Sequence, residues 1–185
     1  MAKKIVNSKL ALISGNSFQL LAEEFIHLAE KVHPENATEF AFKNLGHMIA
    51  SATNMSLALE LYLKGILTLN SVDYSETHDL SKLFKLLPET VACKIFKDFE
   101  SRRKIQIGKV GCFHLYSNPS TINPDKKGDI KSVLKRTRNN FVVWRYLYES
   151  EEGKPKQDAL YEFNPMVLAG SVLREHLKLM VEQNA

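Results

Sequence analysis

Residues 50–70 read Ala-Ser-Ala-Thr-Asn-Met-Ser-Leu-Ala-Leu-Glu-Leu-Tyr-Leu-Lys-Gly-Ile-Leu-Thr-Leu-Asn, and they predict a helix at the centre of the fold. Good helix formers dominate this stretch, and no proline interrupts it. At about 100° per residue, the apolar side chains fall on two arcs of the helix. One arc holds Leu59, Leu63, Ile66 and Leu67, and the other holds Leu57 and Leu61. A helix that is apolar nearly all round is expected to be covered by neighbours on several sides.

A narrow polar strip on this helix holds Glu60 and Lys64, with leucines on both sides. The two residues are spaced i,i+4 with the acid first, which favours an ion pair. The sequence leaves two interpretations open. The pair lies at the edge of the core, or the strip is the solvated seam of the helix.

The composition is that of a soluble globular protein. The chain has 185 residues, 44% of them hydrophobic and 25% charged, so we predict one domain over residues 1–185. The net charge of +4 permits binding to nucleic acid or to an acidic partner without requiring it. No signal sequence and no run of about 18 apolar residues is present, so neither secretion nor a membrane span is predicted. Cys93 and Cys112 lack metal-ligand spacing, which indicates a reducing cytoplasm.

Helical periodicity recurs along the rest of the chain. Helices are predicted over residues 16–32, 37–69, 78–87, 88–104 and 128–150, and from Asn164-Pro165 onwards. Their expected buried faces include Phe18, Leu21, Phe25, Leu28 and Ala29 in the first; Leu80, Leu83, Phe84 and Leu87 in the third; Val91, Ile95 and Phe99 in the fourth; Ile130, Val133 and Leu134 in the fifth; and Val167, Leu168, Val172, Leu173, Leu177 and Met180 in the last. The predicted class is all-α, a helical bundle of five or six helices.

Two segments depart from this pattern. Residues 105–127 contain two glycines and two prolines without a clear period, and we predict one long irregular connection with a short helix around residues 110–116. Residues 159–163 are too few for a helix of their own and are predicted to be a strand or an extended arm.

Motifs that carry chemistry are weak. Glu24 and His27 have the Glu-x-x-His spacing of di-iron bundles, but the second copy that such a site requires is missing. Cys93 stands among apolar residues, where a buried inert thiol is expected, and no glycine-rich phosphate loop occurs. The sequence therefore predicts no catalytic residue, no metal site and no cofactor.

The basic residues are more informative because they concentrate in two clusters. One cluster contains Lys126, Lys127, Lys131, Lys135, Arg136, Arg138 and Arg145, and the other contains Arg102, Arg103 and Lys104. They form either a solvated helix face or a groove for a phosphate backbone, to which guanidinium groups are well suited.

Three elements together resemble a HEPN-type domain over about residues 15–150. They are Leu57-Ala-Leu-Glu-Leu-Tyr-Leu-Lys64, His78-Asp79-Leu80 with Leu83, and a later helix that carries Arg138-Asn139. The resemblance implies a bundle of four or more helices that commonly dimerises, often in prokaryotic defence or toxin–antitoxin systems. It also implies relatives that are metal-independent ribonucleases, with an Arg-x(4–6)-His motif at a dimer cleft.

The nuclease motif is incomplete here. The positions that could supply its histidine are Val143, Trp144 and Arg145. None of these side chains can accept a proton near neutral pH, as cleavage through the 2′-hydroxyl of RNA requires. We therefore assign Arg138, Asn139 and Arg145 as candidate residues for binding an anion or RNA. The candidate supporting network is Glu60, Lys64, His78, Asp79, Asn140 and Glu149.

These observations favour a catalytically silent HEPN-like binding or regulatory module, homodimeric, for RNA, a nucleotide or a protein partner. The first rival is an active metal-independent endoribonuclease that uses a histidine outside the motif, such as His78 or His114. The second rival is a purely structural or interaction protein, in which Arg145 and Glu149 form a core network.

Overall fold

The computed structural model describes residues 7–30, 37–74, 77–106, 112–115, 128–138 and 159–184. Six helices are present among these residues: α1 Ser8–Glu30, α2 Ala37–Leu69, α3 Leu80–Lys85, α4 Glu89–Gln106, α5 Ile130–Arg136 and α6 Phe163–Gln183. Two short strands, β1 Cys112–Leu115 and β2 Ala159–Glu162, complete them. The predicted all-α bundle is confirmed.

Helix α2 is the central element, with the bounds that the sequence predicted. It packs on α1, α3 and α6. The arc of Leu59, Leu63, Ile66 and Leu67 is fully buried, whereas Leu57 and Leu61 on the other arc are half-buried. Burial of these side chains supplies much of the hydrophobic stabilisation of the bundle.

The prediction for helix α1 is wrong about where the helix starts and about which face is buried. The helix begins at Ser8 rather than near residue 16, and Leu21 and Leu28, which were expected inside, are exposed. The buried face instead consists of Ala11, Gly15, Gln19, Ala22, Ile26 and Ala29. These side chains are mostly small because the two helices approach closely. A Cβ atom added at Gly15 would lie only 2.8 Å from Cδ1 of Tyr62 on α2.

Helices α3, α4 and α6 follow the predicted pattern, whereas the continuous helix predicted over residues 128–150 is wrong, because α5 ends at Arg136 with Thr137 as its C-cap and Arg138 in the turn that follows. Leu80, Leu83, Phe84 and Leu87 are buried, as are Ile95 and Phe99 of α4 and the predicted apolar positions of α5. Two aspartates cap short helices: Asp79 Oδ1 accepts a hydrogen bond from the Lys82 backbone N–H at 3.0 Å, and Asp129 Oδ1 accepts one from Ser132 at 2.8 Å. Cys93, expected to be buried, is exposed.

The strands form an antiparallel two-stranded ribbon, with Cys112 opposite Glu162 and Leu115 opposite Ala159. The predicted strand at residues 159–163 is confirmed, whereas the helix predicted around residues 110–116 is wrong, because residues 112–115 pair with β2. A partner almost fifty residues away in the sequence cannot be read from local periodicity.

Other predictions concern residues outside the described ranges. They include the rest of the 105–127 connection and residues 139–150 of the predicted fifth helix. None of the described helices combines the length and the apolar character that a membrane-spanning segment requires.

Candidate functional site

A buried carboxylate on α2 is the centre of the first candidate site. The Glu60 side chain is only 5% exposed, and its carboxylate accepts hydrogen bonds from two cationic or polarised groups. Lys64 Nζ donates to Oε1 at 2.7 Å, and His78 Nδ1 lies 3.0 Å from both carboxylate oxygens. The polar strip is therefore the edge of the core, because the Lys64 side chain is also only 12% exposed.

The loop between α2 and α3 brings His78 to this carboxylate. Tyr74 anchors the loop, since its hydroxyl lies 3.2 Å from the Thr68 hydroxyl and its ring centroid lies 5.9 Å from Lys64 Nζ. Beyond His78, the cap formed by Asp79 starts α3. Side chains of α2 thus hold the loop at two positions, Tyr74 and His78, and fix where the imidazole lies.

This arrangement, which we call the Glu60 site, has a defined chemistry. An ionised carboxylate only accepts hydrogen bonds, so the Nδ1 atom of His78 must donate. In the neutral imidazole, Nδ1 then carries the proton and Nε2 is the basic nitrogen. The His78 side chain is 54% exposed, which places the imidazole at the protein surface while Glu60 stays buried. No three His, Cys, Asp and Glu side chains of the described ranges converge on a position suited to a metal ion.

The arginines of the two basic clusters are largely committed to ion pairs. Arg102 forms a two-pronged pair with Glu175 of α6, with 2.9 Å between Nη1 and Oε1. Arg136 binds Glu162 in the same way, with Nε 2.9 Å from Oε2 and Nη2 3.0 Å from Oε1. Arg103 donates to Glu100 at 2.7 Å and to the Gly128 carbonyl at 3.2 Å. The guanidinium groups of Arg102 and Arg136 therefore connect separate elements of the fold, and that of Arg103 connects α4 with the residue before Asp129, the N-cap of α5.

Two of these pairs shift pKa values in opposite directions. The hydrogen bond to Arg102 lowers the pKa of Glu175 below its ordinary value and raises that of Arg102. The pKa of Glu162 is raised because desolvation by burial outweighs the attraction of Arg136. Ionised Glu162 is thus held inside the protein at a cost that its partner only partly offsets.

The remaining cations of this region are exposed. They are Lys82 and Lys85 of α3, Lys94 and Lys97 of α4, Lys131 and Lys135 of α5, and Arg138 in the turn that follows α5. We call these seven residues the basic surface, since α5 packs on both α3 and α4. No salt bridge to any of them is present within the described ranges. Lys131 Nζ lies 5.8 Å from the ring centroid of Phe96, which connects α5 with α4.

The charge of the protein is unevenly distributed. Residues 80–106 and 128–138 contain eleven Lys and Arg against four Asp and Glu, a net charge of +7. The whole chain carries +4, so the other residues carry −3; two of their negative charges, Glu175 and Glu162, pair with Arg102 and Arg136, which leaves +5 on the α3–α5 side. The electrostatic field of the α3–α5 side therefore favours a negatively charged ligand.

The structure brings some of the predicted residues together and leaves others out. Glu60, Lys64 and His78 are in direct contact, and Asp79 acts one residue away as a helix cap. Arg138 is exposed and does not contact Glu60, which binds Lys64 and His78. Asn139, Asn140, Arg145 and Glu149 lie outside the described residues, so the predicted grouping of Arg138 with Asn139 and Arg145 stays a prediction.

Sequence reasoning missed the ion pairs between helices. His176 Nε2 lies 2.7 Å from Asp98 Oδ2, which joins α6 to α4 beside the pair formed by Arg102 and Glu175. The partners are separated by 73 to 78 residues, and no local motif marks them.

Residues 22–106 match the family model of the HEPN domain. The matched span runs from within α1 to the end of α4 and includes all residues of the Glu60 site, so the HEPN-type resemblance is confirmed there. The part of the resemblance that depended on Arg138-Asn139 lies beyond the match. Comparison with curated proteins finds no match, and comparison with solved structures finds none either.

Proposed function

We propose that this chain, whose residues 22–106 form a HEPN domain, is a homodimeric module that binds RNA without cleaving it. The basic surface is the observation that carries the proposal. Seven exposed cations on α3, α4, α5 and the turn after α5 have no counter-ion in the described structure, while Arg102, Arg103 and Arg136 form ion pairs. Contacts from lysine ammonium groups to phosphates give affinity without reading the base sequence.

Catalytic silence follows from the incomplete motif. A guanidinium group such as that of Arg138 can bind an anion but cannot act as the base that removes a proton from a 2′-hydroxyl. We place the module in the prokaryotic defence or toxin–antitoxin setting that the resemblance implies. A nucleotide or an acidic protein would use the same charges, and the experiment below separates them from RNA.

Fluorescence anisotropy with a labelled single-stranded RNA tests the binding. Affinity should fall steeply between about 50 and 200 mM salt, with a slope of about −0.7 per phosphate contact in a plot of log K against log salt. The variant Lys131→Gln/Lys135→Gln should reduce the steepness of that slope by about 1.4. Lys178→Gln removes a cation that is 64% exposed on α6 and should leave the slope unchanged. An equal reduction of the salt slope in the Lys131→Gln/Lys135→Gln and Lys178→Gln variants contradicts the proposal, and so does a wild-type protein that binds no RNA at about 50 mM salt.

The geometry of the Glu60 site favours one second candidate, a metal-independent ribonuclease. A carboxylate that orients an imidazole is a recurrent way of preparing a general base, and His78 is oriented by Glu60 in this manner. Incubation of the purified protein with labelled RNA, with and without a chelator, separates the two functions. The binding module leaves the RNA intact. Cleavage that persists with chelator and is lost in His78→Gln establishes the second candidate.

A further inference from the structure

Helix α1 carries an apolar stripe on its outer face. Leu10, Ile13 and Leu20 are 60%, 59% and 63% exposed, and Leu21 and Leu28 are about 40% exposed. At about 100° per residue these five side chains lie within one arc of about 100°. The described part of the chain exposes only two other large apolar side chains to this extent, Leu86 and Leu179. A concentrated apolar stripe on a protein surface marks a place where another protein binds.

We infer that two copies of this chain pair through the outer faces of α1, with the two helices antiparallel about a two-fold axis near Ser17. The inference names the interface of the homodimer and rests on that part of the proposed function. It does not depend on RNA binding.

Charge complementarity identifies the occupant of the stripe as a second copy. Lys9, at the start of the stripe, and Glu24, four residues before Leu28, are both exposed, and neither forms an ion pair with a described residue. The midpoint between them falls between residues 16 and 17. A two-fold axis there places Lys9 of each copy beside Glu24 of the other, and an isologous contact of this kind occurs twice. A parallel arrangement would instead bring like charges together.

The apolar residues have the same symmetry. Ile13 and Leu20 are equally distant in sequence from the midpoint, so each meets the other across the axis, and Leu10 comes within one turn of Leu21. Ser17 is exposed at the centre of the stripe, and its small side chain lets the two helices approach closely where they cross. The pairs Lys9–Glu24 and Ile13–Leu20 therefore fit the same axis, and Leu28 lies outside the stretch that they pair.

This interface keeps the two basic surfaces apart. Helix α1 packs on α2 and α6, whereas α5 packs on α3, α4 and α6. Pairing through α1 leaves Arg138 of each copy away from the axis, unlike the dimer cleft that the nuclease motif uses. Each copy would then bind RNA independently.

A charge swap, followed by sedimentation equilibrium and light scattering, tests the geometry. Lys9→Glu alone and Glu24→Lys alone should each weaken the dimer about tenfold, since two equivalent contacts become repulsive. The double variant Lys9→Glu/Glu24→Lys should recover the wild-type dissociation constant, because the partners are exchanged across the axis. Failure of this rescue contradicts the antiparallel arrangement.

Apolar substitutions test the face itself. Ile13→Ser/Leu20→Ser should weaken the dimer at least about 30-fold, because four apolar side chains lose their burial. Leu179→Ser, at a 55% exposed position on α6, is the matched control and should have no effect. A dimer unchanged by Ile13→Ser/Leu20→Ser overturns the assignment of the face, and a wild-type protein that stays monomeric overturns the dimer. RNA affinity per copy should be the same in this variant, and its loss would contradict independent binding by the two copies. Absence of RNA binding by the wild-type dimer would instead count against the proposed function alone.

Discussion

The substitution Glu60→Gln tests whether the Glu60 site holds the loop before α3 on the central helix. Glutamine has nearly the size of glutamate, so packing is preserved and the charge alone is removed. The amide keeps one acceptor oxygen for Lys64 or His78. The other donor then faces an NH₂ group, which cannot accept a hydrogen bond.

The burial of the pair sets the magnitude. Removing one partner of a buried ion pair costs about 3–5 kcal/mol, because the other charge stays uncompensated. Lys64 is 12% exposed, so its nitrogen can shift toward water and recover part of this cost. We therefore expect Glu60→Gln to lower the free energy of unfolding by about 2–4 kcal/mol, with a fall in Tm of roughly 5–15 °C.

Urea unfolding followed by circular dichroism at neutral pH measures the effect. The matched control is Glu182→Gln, which removes the acid of an exposed pair with Lys178 at the same four-residue spacing, 3.9 Å apart. The control should change the unfolding free energy by less than about 0.5 kcal/mol. If both variants fall within that limit, the Glu60 site contributes no stability and the reasoning from burial is wrong.

Two further predictions concern packing and pH. Gly15→Ala should destabilise the protein by about 1–2 kcal/mol in the same assay, because the added methyl overlaps the buried Tyr62 ring. The free-energy cost of this overlap exceeds the gain in helix propensity from glycine to alanine. Gly46→Ala, where nothing lies within 4 Å of the added atom, should instead stabilise it slightly; the same sign for both would refute the packing argument. Arg102 lowers the pKa of Glu175, so their pair stabilises the fold above the pKa of an unfolded glutamate, about 4.3, and this stabilisation is lost as the pH falls through the folded pKa. The difference in unfolding free energy between wild type and Glu175→Gln should therefore be constant above about pH 5 and shrink below it, and a difference that grows in acid would contradict the assignment.

Local signals predicted the elements that depend on local interactions. The bounds of α2 and the Glu60–Lys64 spacing could be read from periodicity, because both partners lie on one helix. Asp79 indicated the start of α3 in the sequence, because a capping aspartate binds a backbone N–H group only three residues away.

The errors have one physical cause, which is that tertiary contacts override periodicity. On α1 the close approach to Tyr62 selects small residues such as Gly15 for the inside, so Leu21 and Leu28 face outward. Residues 112–115 became a strand because β2 pairs with them. The candidate site was predictable only where its members lie within one helix and the loop that follows it. The ion pairs formed by Arg102 and His176 join distant parts of the chain and left no local pattern.

The ion pair between Arg136 and Glu162 has a practical consequence for protein engineering. It fastens the end of α5 to the residue just before α6, and its two partners are 26 residues apart in the sequence. The Glu162 side chain is only 2% exposed, so replacing Arg136 alone would leave a carboxylate inside the protein without its partner, and any redesign of this corner has to change both side chains together.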